Sequence, residues 1–223
     1  MRRCPPRRGR IVESVAHSEV QVPKPAKRRS KRQTILDAAR SAFVERGYAA
    51  TSMDLISARA GVSKRTVYNH FGSKEALFEA AVLEFHDAHN HEGFAAIEPD
   101  APLEQQLLMM ATARIHGLLE PETMAFLRML IGEFMRSPEL ARDLGKRLKD
   151  PAHDPLIPLF ALASQRSGVV AEPERLAEHF WSLMFGLIFW PQVVMHEEQS
   201  PAELERRTVE AVGHFLVAHP DIR

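Results

Sequence analysis

Residues 51–78 read TSMDLISARAGVSKRTVYNHFGSKEALF, and this stretch decides the fold. Thr51 and Asp54 are spaced as a capping box, opening a short helix to about Ala60, where Gly61 breaks it. Ser63 caps a second helix running to about Phe71. Gly72 breaks again and Ser73 caps a third, with Glu75 in a first turn where an acid suits the helix dipole. Two short helices around the turn Ala60-Gly61-Val62-Ser63 make a helix-turn-helix, whose second helix enters the major groove of DNA. At about 100° per residue, Val67 and Phe71 mark the inward face of that helix. Arg65 and Asn69 then point away from the core, Lys64, Thr66 and Tyr68 lie on the flanks, and His70 sits nearer the core at the helix end. Arg and Lys side chains can read guanine and Asn can read adenine. The competing reading is a helix-turn-helix used only for packing.

Upstream, Ser30 and Gln33 form another capping box, and Ile35, Ala39, Ala42 and Phe43 recur at helical spacing until Gly47 ends the helix. Residues 1–29 read as a disordered basic tail, closing on Lys27, Arg28 and Arg29. The tail is either a solvated extension or an arm that touches phosphates or a minor groove. Downstream the pattern stays helical. Pro102 stands at an expected N1 position before Leu103, Leu107, Leu108, Ala111, Ile115 and Leu118. Pro121 opens a helix with Met124, Leu127, Leu130, Ile131 and Phe134. Ser137-Pro138-Glu139 opens a shorter one, and residues 150–155, DPAHDP, are a break. Leu156 to Gln165 is helical up to Gly168. Pro173 opens a long helix to about Met195, and Ser200-Pro201-Ala202-Glu203 starts the last, to about Ala218. No stretch alternates as a strand, and there is no internal repeat.

Charge sorts the chain into two parts. The 223 residues carry 29 basic and 29 acidic side chains. Residues 1–80 hold 17 basic and 7 acidic, residues 81–223 hold 12 and 22. An N-terminal part that meets a polyanion and a C-terminal part that does not fits this asymmetry. The single cysteine, Cys4, excludes a disulfide framework and a cysteine zinc site. Glu13, His17 and Glu19 interrupt the apolar run a secretory signal needs. The most apolar run, Phe180–Met195, is shorter than the ~20 residues that span a bilayer. The expected location is the cytoplasm, with no membrane contact.

The segment Val62–Phe78 resembles the DNA-binding signature of TetR-family transcriptional regulators. It matches the pattern Ser-x-x-Thr-aliphatic-Tyr-x-His-Phe-x-Ser-Lys-Glu-x-Leu at Ser63, Thr66, Val67, Tyr68, His70, Phe71, Ser73, Lys74, Glu75 and Leu77. Ala39, Phe43 and Gly47-Tyr48 look like the family's first helix. The resemblance implies that Thr66, Tyr68, His70 and Lys74 grip phosphates, Tyr68 sometimes reaching a base. It implies that Lys64, Arg65 and Asn69 help choose sequence, and that Ser63 and Thr51 lie at helix starts near the DNA backbone. Loss of Lys74 is then expected to weaken binding to every sequence.

Phe180, Trp181, Leu183, Met184, Phe185, Leu187, Ile188, Phe189 and Trp190 leave no polar face, so that helix has to be covered on both sides. A second subunit can do this, the last two helices pairing with their copies in a four-helix bundle; an internal helix is the alternative. TetR regulators dimerise in this way, and the run HFWSLMFGLIFWPQVVM resembles the C-terminal domains of AefR-like members. A small-molecule effector is implied by the resemblance. Met110, Arg114, Met124, Phe126 and Trp181, with Met109, Met129 and Phe134, are candidates to line its pocket, against an ordinary core. His86, His89 and His91 fall together, but at i, i+3 spacing, which is not a zinc-protease pattern, and a solvated helix end is expected without metal.

The expectation is an all-α protein: a tail (1–29), a three-helix helix-turn-helix DNA-binding domain (30–78), and a helical effector-binding and dimerisation domain (79–223). Its expected function is a ligand-responsive repressor that binds a palindromic operator on double-stranded DNA as a homodimer, with no cofactor and no catalytic residues. No glycine-rich nucleotide loop or nucleophile motif is present. The alternatives are an effector-independent DNA-binding protein and an all-helical enzyme.

Overall fold

The computed structural model describes residues 30–91, 96–148 and 154–222, the side chains of Asn90 and His91 excepted. The expected tail 1–29, and most of the break at 150–155, lie outside these residues. All regular structure among them is helical: α1 (Lys31–Ala50), α2 (Met53–Ala60), α3 (Lys64–Phe71), α4 (Lys74–His91), α5 (Leu103–Leu119), α6 (Pro121–Arg136), α7 (Pro138–Leu148), α8 (Leu156–Ser167), α9 (Pro173–Met184), α10 (Trp190–Met195) and α11 (Pro201–Ala218). A π-helical turn, Phe185–Phe189, joins α9 to α10.

Local chemistry explains most of the boundaries. Ser30, Ser63 and Ser200 each accept the backbone N–H three residues on, at 3.1, 3.1 and 3.3 Å. Each satisfies one donor that a helix start leaves without an internal partner. Gly61 takes the left-handed conformation at φ 65°, which lets the chain turn from α2 into α3 without a Cβ clash.

Four expectations are corrected. Ser52, not Thr51, caps α2, its Oγ accepting from Leu55 N at 3.2 Å. Thr51 is buried, and its hydroxyl lies 3.1 Å from Ala42 O and 2.8 Å from Gly47 O, carbonyls at the broken end of α1. Gly47 does break that helix, with φ 77° and ψ 163°, but helical turns resume to Ala50. Pro102 is the N-cap of α5 rather than its first residue. The helix expected from Pro173 to Met195 is not continuous. Pro191 has no N–H, so Leu187 O loses its usual partner four residues on, and the proline ring crowds that carbonyl. The helix widens upstream, Trp190 N bonding Phe185 O, and Arg207 Nη1 on α11 donates to Leu187 O at 2.9 Å.

Three clusters form the interior. The first joins α1–α4 to α6 and α7, with Ile35, Phe43, Val67, Phe78, Phe85 and Phe126 among its members. The second packs α5, α8, α9 and α11 around Leu107, Phe160, Phe180 and Phe215. A small third one holds Leu118, Met124, Phe189 and Val193. The domain boundary expected at 78/79 falls inside α4, whose Leu77, Phe78, Ala81, Val82 and Phe85 all belong to the first cluster. The helical head is thus welded to α6 through one continuous helix, and that fixes how α3 is presented.

Candidate nucleic-acid interface

α3 is anchored from one side only. Val67 and Phe71 are its buried residues. Phe71 also receives the Arg32 guanidinium at 5.3 Å from its ring centroid. The opposite face is open: Arg65, Tyr68, Asn69 and His70 are all exposed. The angular expectation for Arg65 and Asn69 holds, whereas His70, expected nearer the core, faces solvent. The side chains of Arg65 and Asn69 make no hydrogen bond or ion pair with another described residue, so their side-chain donors are available. Side chains that are exposed, polar and unpaired on a rigidly seated helix are suited to reading base edges.

The helix start supplies a second kind of contact. Ser63 Oγ lies 2.8 Å from Thr66 Oγ1 and accepts from Thr66 N. Two hydroxyls therefore sit at the positive end of α3, the position at which helices bind phosphate. Lys64 flanks them, but its Nζ donates to Asp54 at 2.9 Å, which raises its pKa through that hydrogen bond and the carboxylate's charge.

Lys74 and Thr51 occupy a different place from the one the resemblance implies. Lys74 Nζ donates to Tyr48 O at 3.0 Å, Ala49 O at 3.4 Å and Thr51 O at 3.1 Å. An ammonium has three N–H donors, and these carbonyls use all of them. Thr51 turns its hydroxyl inward. Both residues build the end of α1 on which the head rests, and neither presents a free donor to a phosphate in this arrangement. Ser52 and its exposed cap were missed by the sequence reading. Thr51-x-x-Asp54 has the spacing of a capping box, and burial of Thr51 is not visible along the chain.

The head's charge is distributed unevenly. Nine of the 17 basic residues before residue 81 lie in 1–29, outside the described residues. Within the head, Arg40 pairs with Asp37 and Glu84, and Arg59 with Glu45. Arg65 makes no ion pair with a described residue and projects its charge from the outward face of α3, as the exposed Lys31 does from the start of α1.

The five effector candidates fall in different parts of the interior. Met110 belongs to the second cluster, Met124 to the third and Phe126 to the first, where its ring lies 4.5 Å from that of Phe85. Trp181 is partly buried and donates Nε1 to Asp154 Oδ2 at 3.0 Å. Arg114 is partly buried on α5 and donates Nη1 to His89 O. A groove of about 340 Å³ lies between α1, α4 and α7, lined by Arg32, Glu79, Glu84, Asp87 and Arg147 among others, and includes none of the five. Of the histidines, His89 Nδ1 meets Phe85 O at 2.7 Å and Nε2 meets Thr123 Oγ1 at 3.1 Å, so both ring nitrogens are occupied. His86 Nδ1 is 3.6 Å from Asp87, and the side chain of His91 lies outside the described residues.

A bipartite helical chain with an outward-facing second helix in a helix-turn-helix defines the class of DNA-binding regulators. The sequence profile of the bacterial regulatory proteins of the tetR family matches residues 35–81. That of the AefR-like transcriptional repressor C-terminal domain matches residues 105–219. The chain belongs to the TetR family. It is 31% identical over 149 residues to the HTH-type transcriptional activator FasR of Mycolicibacterium smegmatis, covering 67% of this chain and 66% of FasR. Among solved structures it is similar to a TetR-family regulator of Pseudomonas syringae pv. tomato, with 32% identity, TM-score 0.64, and coverage of 84% of this chain and 95% of that one. The flavonoid-responsive regulator FrrA is 29% identical, with TM-score 0.69 and coverage of 84% and 96%. The chain spans less than two thirds of the length of the curated relatives FasR and YhgD of Bacillus subtilis, 66% and 40%. No helix of the described residues is long and apolar enough to cross a membrane.

Proposed function

We propose that this chain is a sequence-specific transcriptional regulator that binds a two-fold-symmetric operator as a homodimer, one α3 per half-site. The open face of α3 carries the reading: Arg65 and Asn69 are exposed and unpaired among the described residues, on a helix seated by Val67 and Phe71. Arg65, Asn69 and Tyr68 address base edges. Ser63, Thr66, Lys64 and His70 address phosphates. Lys74 and Thr51 act from beneath by holding α1 and α4 in register.

Dimerisation uses α10 and α11. Trp190, Val194 and Met195 are exposed by 47, 57 and 77%, and Val209 and Val217 by 52 and 75%. Large apolar side chains left open on the last two helices are suited to a protein contact. The output is repression, in keeping with the AefR-like C-terminal match over 105–219, and a small effector controls it, as the name of FrrA says of that protein. The chain works in the cytoplasm, where its DNA target is, and performs no catalysis.

The test is selection of random duplexes on the purified protein, followed by anisotropy titrations on the winning sequence at two salt concentrations. A palindrome bound far more tightly than scrambled DNA, with affinity falling steeply in salt, is expected. Enrichment of no sequence defeats the proposal.

A further inference from the structure

Arg114 presents a chemical problem that the fold leaves open. It sits on α5 between Met110 and Leu118, both buried, and beside Ile115 at 1% exposure. Burial lowers its pKa to about 10, partly offset by the charge of Asp154. Among the described residues no carboxylate comes within the 4.0 Å of an ion pair; its one hydrogen bond is to His89 O. A guanidinium has five donors and keeps its charge in any such setting. Withdrawing that charge from water without an anion beside it is unfavourable, and a carboxylate is the partner that matches its fork.

The acid whose charge acts on Arg114 is already committed. Asp154 accepts from Trp181 Nε1 at 3.0 Å and from Leu156 N at 2.9 Å. It therefore shapes the start of α8 and orients Trp181. The acceptor that Arg114 does hold is a neutral carbonyl in the last turn of α4. That turn is also fastened by the His89 ring, set between Phe85 O and Thr123 of α6. The same helix runs back to Leu77 and Phe78 in the core of the head.

We propose that Arg114 is the anchor of an anion site in the C-terminal domain, and that the effector is a carboxylate with an apolar body. This rests on the reading of the chain as an effector-controlled regulator and names the effector's chemical class. The carboxylate forms a forked ion pair with Arg114, replacing the single bond to His89 O, while the apolar body lies against side chains of the kind that flank Arg114 on α5. Release of His89 O removes one of the side-chain ties on the end of α4, and that end of α4 then shifts relative to α5.

The probes are sodium decanoate and sodium 2-naphthoate, with decanamide and 2-naphthamide as neutral partners. They are followed by thermal unfolding of the full chain and by tryptophan fluorescence, read in a Trp190→Phe background so that it reports on Trp181. Arg114→Met keeps length and apolar character while removing the charge; Arg114→Lys keeps the charge and loses the fork. The expected result is saturable stabilisation of the natural chain by at least one carboxylate and not by its amide, with affinity lowered roughly tenfold or more in Arg114→Met, about 1.4 kcal/mol. Arg114→Lys should fall between. Equal responses to acid and amide, equal binding by the natural chain and Arg114→Met, or no response to either acid overturns the proposal. Operator binding without probe is measured on the same proteins. Its absence counts against the regulator reading, and the carboxylate response is judged separately from it.

Discussion

The Lys74 ammonium lies 4.4 Å from the centre of the Tyr48 ring and 3.0 Å from the carbonyl of the same residue. One side chain at the start of α4 thus closes the end of α1 and stacks on its last aromatic, whose hydroxyl in turn donates to Glu75 at 3.2 Å. Removing Lys74 takes a donor from the carbonyls of Ala49 and Thr51, and leaves Tyr48 O with only Thr51 N at 3.3 Å. Lys74→Met is expected to lower stability by about 1–2 kcal/mol. Urea unfolding checks this. The salt dependence of DNA binding is expected to stay unchanged, because Lys74 has no free donor for a phosphate. A slope reduced by about one unit would instead place Lys74 on the DNA.

Tyr48 gives a pH signature. Burial, and then the negative charge of Glu75, push its phenol from 10.0 up to about 12. The folded protein therefore holds this proton more tightly than the unfolded chain. The associated stability is fully present below pH 10.0 and is lost as pH rises toward about 12. The chain has two tyrosines, Tyr48 and Tyr68. A spectrophotometric titration of Tyr68→Phe should show a tyrosinate appearing near 12. Ionisation at the ordinary value would mean that the Tyr48 hydroxyl is not buried beside Glu75.

Arg65 and Ser63 should separate base reading from helix formation. Arg65 has no intramolecular partner among the described residues, so Arg65→Ala should leave unfolding unchanged. It should cost about 1–3 kcal/mol on the selected operator and relax preference at one base pair. Ser63→Ala removes the cap that accepts from Thr66 N at 3.1 Å. It should lower stability by about 1 kcal/mol and weaken all sequences alike. Equal loss on operator and scrambled DNA from Arg65→Ala would remove it from base recognition.

The exposed apolar residues of α10 and α11 make the oligomer testable. Val209 is 52% exposed, so the carboxylate of Val209→Glu can stay in water in a single chain. Its folding should be unaffected. If α11 pairs with its copy, a buried acid at that contact opposes association, and sedimentation should show dissociation of the dimer at micromolar concentration. The same variant should lose cooperative binding to a palindrome while retaining weak binding to a half-site. A variant that stays dimeric moves the contact away from α11.

The helix-turn-helix was legible because its signals are short-range. Ser63 reaches Thr66, Gly61 turns the chain within one residue, and Val67 and Phe71 are one helical turn apart; all of this is decided by bonds over three or four positions. The all-helical class and the start of α11 at Ser200 follow for the same reason. What the sequence left undecided is which donor meets which acceptor once helices pack. Lys74 finds the carbonyl of Tyr48 across 26 residues, Arg207 finds Leu187 O across 20, and Arg114 finds His89 O across 25. Thr51 and Ser52 are both competent caps, and burial beside Ala42 chose between them. Such choices depend on which carbonyls are left unsatisfied at helix ends and kinks, and on which long side chain lies near them. That is a property of packed helices, and the order of residues along the chain does not contain it in readable form.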